Sequence, residues 1–157
     1  MVADVLLRPA RQAEAALLTE LALRSKGHWG YDAAFVAACR DELTIEAAQC
    51  DGVHVIVAER AGRVGGYYQL AGEPPRGELA DLFIDPPAIG LGIGGALLRH
   101  ARDHARSLGY ELLTIDADPH AEAFYVHGGA VRSGETPSGS IPGRMLPRLE
   151  LAVGADS

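Results

Sequence analysis

Apolar positions recur along this chain at two periods, and the switches between them mark out its elements. Val2 to Arg8 alternates and predicts a short first strand. After Pro9, an alanine-rich stretch from Arg11 to Arg24 carries Leu17, Leu18 and Leu21 at helical spacing, and Gly27 ends it. Asp32 has the side chain to cap a second helix running to about Ile45, with Phe35, Val36, Cys39 and Leu43 on one side. Val53 to Glu59 and Val64 to Leu70 are β-branched and alternating about the turn Ala61-Gly62, which predicts an antiparallel hairpin.

The turn cluster Glu73-Pro74-Pro75-Arg76-Gly77 sets off a strand from Glu78 to Ile84. A helix over about Gly92 to Ser107 follows, burying Leu97, Leu98, Ala101, Ala105 and Leu108 while Arg99, Arg102, Asp103 and Arg106 face water. Gly109 stops it, and Glu111 to Asp116 predicts a parallel strand that completes a β-α-β unit. Ala121 to His127 predicts a short helix, and Val131 to Ser133 and Arg144 to Val153 predict two last strands joined by the Gly-, Pro- and Ser-rich loop Gly134 to Gly143. Pro147 has no N–H to donate, so the last strand is expected at a sheet edge or with a bulge at that residue. With neither repeat nor linker, residues 1–157 are expected to form one domain. Its class is mixed α/β, a central mixed sheet with helices on both faces.

Composition narrows the function classes. The formal net charge is -7 and Lys26 is the only lysine, which excludes nucleic acid as a main partner, because phosphate-tracking surfaces need clustered cations. No apolar run approaches the roughly 18 residues of a membrane span. The N-terminus carries Asp4 and Arg8-Pro9 where a signal peptide has its apolar core, so a cytoplasmic location is expected, with no membrane partner. Cys39 and Cys50 lack zinc-site spacing and are expected to be reduced. Among His28, His54, His100, His104, His120 and His127, only His100 and His104 share a helical i, i+4 spacing, and no third ligand accompanies them; no metal site is expected.

The segment Asp85-Pro86-Pro87-Ala88-Ile89-Gly90-Leu91-Gly92-Ile93-Gly94-Gly95 carries the strongest chemical signal, since a strand runs through a glycine-rich turn into an amphipathic helix. Glycines let a ligand reach the backbone, and the first helical N–H groups present free donors and a positive dipole end to an anion. A nucleotide-type cofactor is the expected ligand. Gly90, Gly92 and Gly95 also satisfy the dinucleotide pattern G-x-G-x-x-G, with Asp116 near the place of a ribose-binding acid. Against a nicotinamide oxidoreductase, Pro86 and Pro87 hold the strand several residues from the first glycine, and about forty residues after Asp116 are too few for further crossovers of about thirty each.

Leu82-Phe83-Ile84-Asp85-Pro86, then Gly90-Leu91-Gly92-Ile93-Gly94 and an apolar helix, resemble the acyl-CoA-binding core of the GCN5-related N-acetyltransferases. Ala121-Glu122-Ala123-Phe124-Tyr125 and His127-Gly128-Gly129-Ala130 resemble that family's late helix and turn. The chain departs from the family pattern at Ile89, often Gln or Arg, at His120, where the family has Asn, and at Gly129-Ala130, where it has Gly-Phe.

The resemblance implies an acetyltransferase that passes an acetyl group from acetyl-CoA directly to a primary amine of a small molecule or peptide. It implies backbone pairing of the cofactor's pantetheine arm near Leu82, Phe83 and Ile84, and a pyrophosphate held at Gly90, Leu91, Gly92, Ile93, Gly94 and Gly95. His120 is carried over as a cofactor-side residue. Arg99 or Arg102 is either a 3′-phosphate ligand or plain solvated surface. Tyr125 matches the tyrosine that protonates the departing thiolate; a phenol with a pKa of about 10 can donate to a thiol of about 8.5. The same residue also reads as a core aromatic.

Glu78, with Asp81 second, is the candidate to take the amine's proton, or a strand-end carboxylate without a role. Ser25-Lys26-Gly27-His28-Trp29-Gly30-Tyr31 borders the implied acceptor pocket, which makes His28 and Tyr31 substrate-side candidates; Trp29 and Tyr31 read equally as packing. A non-catalytic acyl-CoA-binding module is the alternative from another class. The acceptor's identity is open, and so is the oligomeric state, a homodimer included.

Overall fold

The computed structural model describes residues 4–153. Strand β1 (Val5–Pro9) is followed by a short 3-10 turn, then α1 (Ala15–Gly27), α2 (Ala33–Ala38) and α3 (Arg40–Leu43). Next come β2 (Val55–Arg60), β3 (Arg63–Ala71), β4 (Arg76–Ile84), α4 (Ile93–Ser107) and β5 (Leu112–Asp116). Helix α5 (Glu122–His127), β6 (Val131–Pro137) and β7 (Met145–Ala152) complete the chain. Val2 of the expected first strand lies outside the described residues.

The strands form one seven-stranded sheet in the order β1-β2-β3-β4-β5-β7-β6. Helices cover both faces, as the sequence predicts. On one, α4 buries Ile93, Leu97, Leu98, Ala101 and Ala105 together with Tyr125 of α5. On the other, Leu18, Leu21 and Ala22 of α1 and Leu43 of α3 pack on Val55, Val57 and Tyr67. The start of α4 seats closely on β3 at two glycines: a Cβ on Gly65 would stand 2.8 Å from Ile93 Cδ1, and one on Gly66 would stand 3.1 Å from Leu97 Cδ1.

Only β4 and β5 run parallel, and they pair over Arg76↔Leu112, Gly77↔Leu113 and Glu78↔Thr114 alone. β5 meets β7 antiparallel on its other side. This is not the parallel, doubly wound sheet a dinucleotide fold needs, and Asp116 is ion-paired to Arg148 at 2.8 Å, which disposes of its ribose-binding role.

Three expectations need correction. The second helix is not continuous: Asp32 caps α2 by accepting from the Phe35 N–H, but the Cys39 N–H turns to Val36 in a 3-10 step and α3 starts afresh at Arg40. The final loop is shorter than expected, because β6 extends through Gly134–Pro137 to pair with Met145–Arg148. Pro147 is not at an edge, since β7 lies inside the sheet, and the nearby bulge falls at Ser133 of β6. The Pro147 C=O accepts from Ala117 N–H, one residue past β5, so its missing donor falls at the end of that ladder, where it disrupts nothing.

Candidate active site

Beyond Glu78 and Thr114 the two parallel strands splay, and the gap widens into a cleft of about 660 Å³ between the sheet, α5 and the connector after α1. From Leu79 to Ile84 the edge of β4 that faces β5 has no strand partner, while its other edge stays paired with β3. Open ladder groups in a cleft call for a partner, and an extended ligand arm supplies one in the manner of an added strand. Leu82, Phe83 and Ile84 lie on this stretch and line the cleft.

β4 carries a bulge at Ala80, because Gln69 pairs with Asp81 while Leu70 pairs with Leu79. The extra residue resets the alternation of side chains. Leu79, Leu82 and Ile84 turn to the α4 core, and Phe83, with its partner Tyr67, packs toward α1. Asp81 and its partner Gln69 share that second side, and both line the cleft.

At the far end of β4 the chain is anchored before it enters the glycine turn. Arg24 of α1 grips Asp85 with two nitrogens at 3.1 and 2.8 Å, and the Asp85 N–H donates to the Gly65 carbonyl. Gly90 and Gly92 both sit at positive φ, +88° and +82°, so the turn needs glycine for its conformation. Gly92 is the N-cap of α4, and the first α-helical bond is Ala96 N–H to the Gly92 carbonyl. The N–H groups of Ile93, Gly94 and Gly95 thus have no intrahelical acceptor and are free to face a ligand. A Cβ on Gly94 would stand 3.2 Å from Phe124, closing the cradle from α5.

Gly90, Gly92, Ile93, Gly94 and Gly95 line the cleft; Leu91 does not, its side chain turning to solvent. A smaller hollow beside Gly95 is bordered by Arg99, Arg102 and His127. Arg102 is occupied in donating to the Gly128 carbonyl, whereas Arg99 is exposed.

Tyr125 reaches the cleft from α5 and is 6% exposed. No described residue hydrogen-bonds its hydroxyl, and burial, with the charges of Asp81 and Asp118, raises its pKa well above that of an ordinary phenol. It therefore stays protonated at neutral pH. Asp81 is half-buried, and desolvation together with the charges of Glu42 and Glu78 pushes its carboxyl up to about 7. Glu78 also rises, through burial and then the charge of Asp116, with Arg148 opposing. The cleft thus holds a proton donor and a carboxylate that changes state near neutral pH.

The wall opposite β4 is knotted around Asp118, a residue that sequence reasoning missed. Its carboxylate takes Lys26 Nζ at 2.7 Å, the Tyr31 hydroxyl at 3.1 Å and Arg144 at 3.5 Å, and it caps the turn before α5 by accepting from the His120 N–H. Arg144 in turn donates to the Tyr31 oxygen at 2.6 Å. Burial pushes the Asp118 carboxyl up, but hydrogen bonds from Lys26 and His120 outweigh it and hold the group far below the usual carboxylate range.

Tyr31 is thereby a brace of the wall and lies outside the cleft lining. His28 also lies outside it: the residue is the exposed C-cap of α1, with its backbone N–H held by Arg24 and Ser25 carbonyls. Trp29 lines the cleft in its place, its ring stacked on His120 at 5.3 Å between centroids.

Comparison with known proteins decides the family. The model of the acetyltransferase (GNAT) family matches residues 18–128, which span every element from α1 to α5. The chain belongs to the GNAT acetyltransferase family. The open β4 edge and the glycine cradle fit an acyl-CoA donor. The structure of this GNAT chain superimposes on a GCN5-related N-acetyltransferase from Rhodopseudomonas palustris with a TM-score of 0.79, at 22% identity, over 97% of this chain and 98% of that one. It superimposes on the PaiA N-acetyltransferase of Thermoplasma acidophilum, solved in complex with coenzyme A, with a TM-score of 0.74, at 16% identity, over 95% and 99%. The mycothiol acetyltransferase of Rhodococcus jostii is 44% identical over 57 residues, a segment that spans 34% of this chain and 18% of that protein.

Proposed function

We propose that this GNAT domain acetylates a primary amine by direct attack, with Asp81 as the base and Tyr125 as the acid. One observation carries the reading: the open edge of β4 leads to a point where a protonated, unbonded phenol and a carboxylate near neutrality face the same cleft. Asp81 lies on the open stretch of β4 and lines the cleft with Tyr125, whereas Glu78 sits back where the parallel pairing ends. That favours Asp81 over Glu78 as the group that takes the proton.

Acetyl-CoA supplies an activated acyl carbon and a thiol leaving group. Asp81 accepts a proton from the acceptor's ammonium, directly or through one water, and leaves a neutral amine to attack the carbonyl carbon. As the C–N bond forms and the C–S bond breaks, Tyr125 gives its proton to the sulfur. The second proton lost from the amine returns Tyr125 to its phenol form, and Asp81 passes the first to solvent. The backbone of Leu82 to Ile84 holds the extended arm of the donor, and the turn Gly90 to Gly95 holds its phosphates at the positive end of α4. Trp29 and His120 shape the mouth of the cleft, and the Asp118 knot, with Tyr31, fixes their position.

Thiol release from acetyl-CoA in the presence of a panel of primary amines tests this. Release that depends on the amine, with no acetylated protein by intact mass when acetyl-CoA is given alone, is the expected result. Binding of acetyl-CoA without release for any amine would instead make the chain a non-catalytic acyl-CoA-binding module.

A further inference from the structure

Five carboxylates line the cleft: Glu42, Glu78, Asp81, Asp116 and Asp118. Asp116 is taken by Arg148 and Asp118 by Lys26, which is also the only Lys or Arg among the cleft-lining residues. Among the described residues, Glu78 and Asp81 have no cation within ion-pair distance, and Glu42, at the rim, is met by the Ser140 hydroxyl of the loop before β7. The bulge at Ala80 brings Glu78 and Asp81 to the same side of the sheet, facing α3, which carries Glu42. Each feels the charge of Glu42, so the three form one field at one end of the cleft.

An independent observation points to what belongs there. Gln69, the register partner of Asp81, is only 8% exposed, lines the same end of the cleft, and makes no side-chain hydrogen bond to any described residue. The residue is largely enclosed by the fold, and its amide is left to bond with whatever occupies the cleft. Its oxygen is an acceptor, as are the carboxylates. The group that matches acceptors on several sides is an ammonium, which brings three donors and one positive charge.

We propose that the acceptor is a diamine or polyamine: one nitrogen faces Asp81 and is acetylated, while a second, still protonated, is held by Glu78, Glu42 and Gln69. The proposal rests on the transferase reading above and names its substrate class. A monoamine leaves the three acceptors unpaired. An amino acid sets its own carboxylate against Glu78 and Glu42, which like-charge repulsion disfavours. The chain's net charge of -7 favours the approach of a polycation in the same sense.

The test compares diaminobutane, butylamine and aminobutyrate, both as acceptors with acetyl-CoA and as ligands titrated calorimetrically into the protein saturated with coenzyme A. A charge-assisted hydrogen bond contributes about 1.5–3 kcal/mol, so diaminobutane should exceed butylamine by about 10- to 100-fold in kcat/KM and in affinity. Glu78→Gln should bring the ratio of the two kcat/KM values toward unity. Should that variant not fold, Glu42→Gln at the exposed rim should reduce the same ratio. Equal turnover and equal binding of the three compounds would overturn the proposal while leaving the transferase reading intact. Tight diaminobutane binding without turnover of any amine would support the pocket and remove the transferase reading.

Discussion

Replacing Tyr125 by Phe is the sharpest test of the mechanism, because the structure separates what the ring does from what the hydroxyl does. The ring is 6% exposed and packs within the α4 core and edge-on to Phe124, whose centroid is 5.1 Å away. Phe preserves all of that burial. No described residue is hydrogen-bonded to the hydroxyl, so its removal orphans no buried donor or acceptor, and stability should change by less than about 1 kcal/mol. Binding of acetyl-CoA, which relies on the β4 edge and the glycine turn, should change less than tenfold. The thiolate, in contrast, loses its proton donor. General acid catalysis contributes a factor of about 10² to 10⁴, so kcat should fall by that factor, or about 2.7–5.5 kcal/mol in the barrier.

Pre-steady-state thiol release at saturating acetyl-CoA and amine separates this chemical step from product release. Thermal melts with and without acetyl-CoA check that fold and donor binding persist. A Phe variant that releases thiol at the wild-type rate in the first turnover would show that Tyr125 only packs and that the thiolate departs unaided. A loss confined to acetyl-CoA affinity would also refute the assignment, since it places the hydroxyl in ground-state binding.

The other expectations concern neighbours of that step. Asp81, raised from about 3.9 to about 7, holds its proton more tightly folded than unfolded. Its cost to the fold is therefore absent below about pH 4, grows through the window and is complete above about pH 7, so Asp81→Asn should gain stability over wild type across that range in pH-dependent melts. Wild-type kcat/KM should rise through about pH 7, and the same variant should lose that rise. Gly92→Val forces a β-branched residue into the left-handed region and should abolish the roughly 2.7 kcal/mol of stabilisation that acetyl-CoA gives wild type at 100 times its dissociation constant, read as a melting shift. Asp118→Asn leaves Lys26 and Arg144, with side chains only 13% and 17% exposed, without their shared anion; it should cost about 3–5 kcal/mol in urea unfolding.

What the sequence disclosed is local. The glycine turn, the α4 stripe that stops at Gly109 and the Asp32 cap are each written in residues that are near neighbours along the chain, and each forms where it is expected. The Asp118 knot is not written that way: its members are drawn from positions 92 and 87 residues away, and Arg144 meets Tyr31 across 113. No periodicity marks such a meeting. The cue present in the sequence was negative, a lone lysine and a tyrosine in a connector of small residues. Reading that connector as pocket wall put weight on His28, whereas the chain turns so that Trp29 faces in. The break at Cys39 was equally silent, since Phe35, Val36, Cys39 and Leu43 keep helical spacing across it.

The placement of Glu78 and Asp81 shows how one residue of irregularity decides the chemistry of this site. In a regular strand, residues three apart point to opposite faces, so only one of these carboxylates could look toward an acceptor. Ala80, inserted as a bulge, turns Leu79 into the α4 core and brings Glu78 back to the face of Asp81 and Gln69. The same residue stands two past the last parallel pair, Glu78↔Thr114, beyond which β4 and β5 diverge. The bulge and the splay thus occur together: one assembles the acceptor end of the cleft, and the other opens the edge that receives the acyl donor. Both arise from hydrogen-bond register and not from residue type, which is why the run from Glu78 to Ile84, set off by its turn cluster, could announce a strand and leave its bend unannounced.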